Sequence, residues 1–263
     1  MSAEEFRKRA RHPRRAAPIV HTDGDRRVLM FADAVVQSEM LLSAPDELVL
    51  AYTRAMMLFA LFNPKPRRIL LLGLGGGSLA KFCHRHFPGA DITAIELDTR
   101  VISLREQFGV PGDGPNFRVI HADAIDYLAA LTAPVDVILA DVYQLNGMPA
   151  AFGSAKFYAD CRLALRAGGV LVANLHSRER DYRQITKRMA GAFDQRTCRL
   201  KSVSGSNHVY FAVHAPPAPR MALPHRALLL QRLIALRGGF GPRFNKILMA
   251  LTYQLLRRRA ARD

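Results

Sequence analysis

Between residues 67 and 176, apolar segments typical of buried strands alternate with helical patterns. The predicted strands cover residues 69–72, 92–96, 117–120, 135–140 and 170–173. Strands that are apolar throughout need cover on both faces, so this order predicts an α/β fold with a mostly parallel sheet between helices. Segments 196–203 and 208–215 flank a Ser-Gly-Ser-Asn turn and predict an antiparallel hairpin that completes a seven-stranded sheet.

The rest of the chain divides at changes in pattern and charge. We expect a basic flexible arm over residues 1–27, a strand pair and a helix over 28–66, and the α/β domain over 67–215. Residues 216–263 predict a linker and a basic tail of two amphipathic helices, 223–236 and 243–257. This last segment holds ten basic residues and one acidic residue, so it contributes +9 to the net charge of +16. A polyanionic partner would therefore be attracted to the ends of the chain more than to its body.

Composition excludes several classes of protein. With 49% hydrophobic and 23% charged residues, the chain can form a core of ordinary size, which excludes a globally disordered protein. Its three cysteines are far apart, which argues against a disulfide scaffold and a cysteine zinc site and favours a reducing cytoplasm. We therefore expect a cytoplasmic protein without a metal, and the basic N-terminus does not have the pattern of a secretory signal.

A glycine-rich loop follows the first strand of the predicted sheet. Gly73, Gly75 and Gly77 let the chain turn sharply into a helix and bring its backbone close to a ligand. The lysine and hydroxyl of a phosphate-binding Walker loop are missing, and Ser78 stands where a dinucleotide fingerprint has its third glycine. The loop alone is also compatible with a tight turn that binds nothing.

Three acidic residues strengthen the case for a nucleoside. Glu96 ends the second strand, where a carboxylate can accept both ribose hydroxyls. Asp123 follows the third strand and could accept from the adenine amino group, beside the backbone amide of Ala124. Asp141 ends the fourth strand. Because the carboxyl ends of parallel strands share one edge, these residues predict a site for S-adenosylmethionine or its decarboxylated form.

From about residue 28 to 215 the sequence resembles the spermidine synthase family, the polyamine aminopropyltransferases. The resemblance lies in the strand pair ending at Gln37, the Asp46-Glu47 pair, the glycine loop, the strand-end acids and Phe157-Tyr158. It implies a Rossmann-like class I methyltransferase fold. It also implies transfer of an aminopropyl group from decarboxylated S-adenosylmethionine to an amine, with release of methylthioadenosine.

The resemblance assigns roles to individual residues. Asp141 would deprotonate the attacking amine, which needs a free lone pair. Glu96 would hold the ribose and Asp123 the adenine, while Gln37 would line the acceptor pocket. Independently of the resemblance, the position of Tyr143 beside Asp141 fits either a residue that lines this pocket or one that only packs in its loop. The acceptor would be a small-molecule amine, and the enzyme would be a homodimer.

The sequence departs from the family at positions that bind amines. Gly76 replaces the loop aspartate that holds the aminopropyl ammonium, and Gln144 replaces the aspartate that anchors the diamine. Tyr52-Thr53-Arg54 stands in place of a Tyr-x-Glu motif. Two alternatives therefore stay open: an S-adenosylmethionine-dependent methyltransferase on the same scaffold, and a non-catalytic nucleoside-binding protein. For the basic tail we weigh docking on the body or a partner subunit against attachment to anionic lipid or nucleic acid.

Overall fold

Two sheets form the framework of the molecule. The computed structural model describes residues 17–31, 35–143, 147–214 and 251–254. An antiparallel three-stranded sheet has the order β1-β2-β3, and a seven-stranded sheet has the order β6-β5-β4-β7-β8-β10-β9. The strands are β1 (Pro18–Asp23), β2 (Arg26–Phe31), β3 (Val35–Leu41), β4 (Arg68–Leu72), β5 (Asp91–Glu96), β6 (Phe117–His121), β7 (Val135–Ala140), β8 (Leu165–His176), β9 (Thr197–Ser204) and β10 (Asn207–Val213).

The large sheet confirms the predicted fold class. Strands β6, β5, β4, β7 and β8 run parallel to one another, and β10 runs antiparallel to both β8 and β9. All six residues of β7 are buried, as expected for a central strand with a hydrophobic cluster on each face. The helices are α1 (Ala51–Met56), α2 (Phe59–Phe62), α3 (Ser78–His86), α4 (Thr99–Ile102), α5 (Ala124–Ala129), α6 (Ala155–Ala164) and α7 (Tyr182–Ala192).

The predicted flexible arm over residues 1–27 is wrong for its last third. Residues Pro18–Asp23 form β1, and β2 begins at Arg26. The two-residue connection starts with Gly24, whose φ of 53° lies in the left-handed region that a tight hairpin needs. Residues 1–16 lie outside the described part of the chain. Within the described ranges, none of the helices has both the length and the apolar character that crossing a bilayer requires.

The observed helices differ in places from the sequence prediction. The single helix predicted within residues 28–66 begins only at Ala51 and is interrupted before α2. Helix α4 ends at Ile102, after which backbone hydrogen bonds such as Leu104 N to Val101 O span three residues. The sequence pattern did not predict α7.

The described part of the C-terminal tail packs on the body. Residues 251–254 are helical, and the Tyr253 hydroxyl donates to Glu47 and accepts from the Leu48 amide. The Tyr253 ring also stacks on Phe82 with centroids 5.5 Å apart. The rest of the two predicted tail helices, and the linker before them, lie outside the described residues.

Candidate active site

The carboxyl edge of the parallel sheet brings the predicted site residues together. Gly73 follows β4, Glu96 ends β5, Asp123 follows β6 and Asp141 follows β7. The backbone hydrogen bonds between neighbouring strands continue past the strand ends. The Gly73 amide donates to the Ile95 carbonyl at 2.9 Å, and the Asp141 amide donates to the Leu72 carbonyl at 3.1 Å. The glycine loop and the three acids therefore surround one edge, as the sequence predicted.

The glycine loop lies against both the end of β7 and the small sheet. A Cβ atom on Gly73, whose φ is 94°, would lie 2.6 Å from the Asp141 carbonyl oxygen. The Gly76 amide donates to the Ser38 hydroxyl of β3 at 2.9 Å. The loop is thus held on two sides, and its conformation is fixed before any ligand arrives.

Glu96 is fastened beside the glycine loop. Its carboxylate accepts from the Leu74 amide at 3.0 Å and from the Asp98 amide at 2.9 Å, one bond to each oxygen. A carboxylate oxygen has two lone pairs, so each oxygen keeps acceptor capacity for a ribose hydroxyl. The two backbone donors fix the direction in which Glu96 presents that capacity.

Asp123 has a structural role at the start of a helix. It is the N-cap of α5, and its carboxylate accepts from the Ile125 amide at 2.8 Å. Ala124 is the first residue of that helix and is buried. One carboxylate oxygen is used by the cap, and the contact of this pair with adenine stays a prediction.

Asp141 lies at the centre of a hydrogen-bond network. Tyr52 of α1 donates its hydroxyl to one carboxylate oxygen at 3.0 Å, and the Asn174 side-chain amide of β8 donates to the other at 3.0 Å. Burial raises the pKa of the Asp141 carboxyl, and the two donors offset part of this rise. Burial and the charge of Asp141 raise the pKa of Tyr52, so its hydroxyl keeps its proton.

Sequence reasoning missed the partners of Asp141. Asn174 is 3% exposed and is a polar residue inside the apolar run of β8, which was a signal that could have been used. Its oxygen accepts in turn from the Asn207 side-chain amide at 2.9 Å. Tyr52 was noted only for the motif in which it stands, and its contact depends on how α1 packs on the sheet.

Tyr143 and His176 form one wall near Asp141. The Tyr143 hydroxyl accepts from the His176 backbone amide at 2.7 Å, and the two rings stack with centroids 4.1 Å apart. Burial raises the pKa of Tyr143 and lowers that of His176, so both are uncharged at neutral pH. Gln37 lies where the pairing register of β3 with β2 shifts, beside Ser38, and Gln144 lies outside the described residues.

No group of three His, Cys, Asp or Glu side chains in the described residues could hold a metal ion. The arrangement instead offers a carboxylate with a raised pKa at a sheet edge, next to a loop shaped for close approach. Such a group can accept a proton from a nucleophile and attract a cation.

Comparison with known proteins finds similar sequences and similar structures. The family model for the spermine/spermidine synthase domain matches residues 49–209. A polyamine aminopropyltransferase from Chromobacterium violaceum is 33% identical over 94% of this chain and 94% of its own length. A probable spermidine synthase structure from Corynebacterium glutamicum has a TM-score of 0.68 at 22% identity, covering 86% of this chain and 85% of that one. The structure of human methyltransferase-like protein 13 with SAH has a TM-score of 0.53 at 25% identity, covering 73% and 93%.

Proposed function

The chain belongs to the spermine/spermidine synthase family, and on that premise we propose that Asp141 is the base of an aminopropyl transfer. The donor is decarboxylated S-adenosylmethionine, and the acceptor is a small-molecule amine. The similarity to a polyamine aminopropyltransferase over 94% of this chain supports this reaction over methyl transfer.

The observation that carries the proposal is the position of Asp141. Its backbone carbonyl oxygen would lie 2.6 Å from a Cβ atom on Gly73, so Asp141 adjoins the loop that would hold the donor. The acceptor nitrogen attacks the methylene carbon next to the sulfonium. The carbon–sulfur bond breaks, its electron pair stays on sulfur, and methylthioadenosine leaves as a neutral thioether.

The acceptor has to lose a proton for this step. An alkyl ammonium has no lone pair, so a neighbouring carboxylate must take the proton or keep the amine in its free form. The burial that raises the pKa of Asp141 makes it a stronger base than an exposed aspartate. Tyr52 and Asn174 hold both oxygens, which fixes the direction of the remaining lone pairs.

The adenosyl part of the donor would occupy the edge between the glycine loop and β6. In this proposal Gly73, Gly75 and Gly77 form the floor, Glu96 binds the ribose hydroxyls, and Asp123 with Ala124 contacts the adenine. Gln37 and Tyr143 would line the acceptor pocket. The homodimer and the partner of the basic tail stay predictions, and light scattering on the purified protein measures the first.

Mass spectrometry of the nucleoside product tests the proposal. Purified protein receives decarboxylated S-adenosylmethionine or S-adenosylmethionine, each with and without a mixture of diamines and polyamines. Methylthioadenosine that forms only with an acceptor, and not with Asp141→Asn, is the expected result. S-adenosylhomocysteine formed from S-adenosylmethionine would instead establish a methyltransferase, and binding without turnover would establish a non-catalytic protein.

A further inference from the structure

The side-chain amide of Asn174 is shared between two partners. Its nitrogen donates to Asp141, and its oxygen accepts from the Asn207 amide nitrogen at 2.9 Å. Asp141, Asn174 and Asn207 therefore form a continuous row of hydrogen bonds, which we call the amide relay. Asn207 belongs to the hairpin at the sheet edge, and its bond in the relay goes to Asn174.

The direction of the Asn174 amide decides whether it supports Asp141. The amide nitrogen is a donor, whereas the amide oxygen only accepts. If the group turned by half a rotation, its oxygen would face a carboxylate oxygen and the two acceptors would repel each other. Because Asn174 is only 3% exposed, bulk water does not screen this repulsion.

Asn207 supplies the constraint that selects one direction. Its nitrogen can bond to Asn174 only when the amide oxygen of Asn174 points toward it. Asn207 is also well anchored, since it begins β10 and the turn before it is tied to the end of β8 by a bond from the Ser177 amide to the Ser206 carbonyl at 2.8 Å. The sheet therefore holds Asn207 in the position from which it orients the Asn174 amide.

We propose that Asn207 is a positioning residue for the transfer reaction, acting through Asn174 to keep a donor on the carboxylate of Asp141. The proposal rests on the proposed function, in which Asp141 is the base. Without Asn207, the Asn174 amide would spend part of its time turned away, and the carboxylate would lose a stabilising bond.

The other groups that face Asp141 do not replace this donor. Tyr52 already binds the second carboxylate oxygen from α1. The Tyr143 hydroxyl is occupied by the His176 amide. Burial lowers the pKa of the His176 ring, so His176 and Asp141 can both change charge on the acid side of neutrality. To separate the two, the titration of Asp141 has to be followed on its own carboxyl carbon.

The test compares the wild type with Asn207→Ala, Asn174→Leu and the double variant. The control is Ser206→Ala, a neighbour in the same turn that keeps the backbone carbonyl bonded to Ser177. The Asp141 pKa is measured by 13C NMR on protein labelled in its aspartate carboxyls, with Asp141→Asn to assign the signal. The acid limb of kcat/KM against pH is measured in parallel.

We expect Asn207→Ala to raise both the Asp141 pKa and the acid limb by about one unit, and kcat/KM below that limb to fall about tenfold. In the Asn174→Leu background the same change should produce no further shift, and Ser206→Ala should behave as the wild type. An Asn207→Ala protein with lower activity at every pH but an unmoved Asp141 signal would overturn the relay. Turnover by Asp141→Asn would instead overturn the proposed function and leave the NMR result standing.

Discussion

Gly76 stands where the resemblance leads us to expect an aspartate, and its neighbours in the structure leave no room for a side chain. A Cβ atom on Gly76 would lie 2.8 Å from the Ser38 Cβ and 3.0 Å from Phe108 Cδ1. Phe108 is 1% exposed, and its carbonyl accepts from the buried Lys81 ammonium at 2.6 Å. Neither neighbour can move freely, so we predict that any side chain at Gly76 is destabilising.

The size of the effect follows from overpacking. The φ of Gly76 is not in the left-handed region, so Gly76→Ala introduces the clash without backbone strain. Inserting a methyl group into such a contact costs about 1–3 kcal/mol, which for a domain of this size lowers Tm by about 2–12 °C. Gly76→Asp should cost more, because its carboxylate also enters a buried region.

Ser38→Gly provides the compensating change. It removes the Ser38 atoms that Gly76→Ala would meet, leaves the contact with Phe108, and gives up one hydrogen bond, worth about 0.5–1.5 kcal/mol. We expect the double variant to lose at least 1 kcal/mol less than the sum of the single variants, which is a coupling of the usual size for residues in contact, about 0.5–3 kcal/mol.

Equilibrium unfolding in urea and thermal unfolding of the four proteins measure this coupling. The matched control is Gly89→Ala, an exposed glycine whose added Cβ would meet nothing within 4 Å and whose φ is also unexceptional. The reasoning is refuted if Gly76→Ala is as stable as Gly89→Ala, or if the effects of Ser38→Gly and Gly76→Ala simply add.

Three further predictions concern Asp141 and the tail. Tyr52→Phe should lower kcat about 10- to 100-fold and move the acid limb of the pH profile upward, because a hydrogen bond to a charged group contributes about 1.5–3 kcal/mol. Asp141→Asn should abolish turnover and yet raise Tm at pH 7. The pKa of Asp141 is raised in the folded state, so its ionisation at pH 7 opposes folding, and a neutral side chain removes that cost. The increase in Tm should disappear toward pH 4, where Asp141 of the wild type is also protonated. Tyr253→Phe removes the hydroxyl bonded to Glu47 and Leu48 and should lower Tm by about 2–6 °C in differential scanning calorimetry without loss of kcat.

The large sheet could be predicted because its strands are buried on both faces. In β7 and in the second half of β8 nearly every side chain is apolar, and such runs can be recognised without any partner information. Helix α7 gave no comparable signal, since only Ile185 and Met189 are buried along its eleven residues. The hairpin of β1 and β2 contains Asp23-Gly24, a dipeptide typical of tight turns. The basic residues around it favoured the prediction of a flexible arm instead.

The shared edge of the three acids was predictable, and the hydrogen-bond partners around Asp141 were not. Glu96 ends a strand and Asp123 and Asp141 follow strands, so their common edge follows from topology alone. Tyr52 lies 89 positions from Asp141 and reaches it only through the packing of α1. Asn207 lies 66 positions from Asp141 and contacts Asn174, not Asp141, through the hairpin register. A linear pattern contains no information on such contacts.

The glycine loop is weaker evidence for a ligand than its sequence indicates. A Cβ on Gly73 would meet the Asp141 carbonyl oxygen at 2.6 Å, and one on Gly77 would meet a Val110 methyl carbon at 2.3 Å. Both positions have positive φ, so the protein's own packing already requires glycine there. The Glu96 carboxylate is better evidence, because a turn that bound nothing would not need a charged group fastened against the Leu74 amide. The assignment of a nucleoside site therefore depends on the acids, and Glu96→Gln is the substitution whose effect on donor binding would measure it most directly.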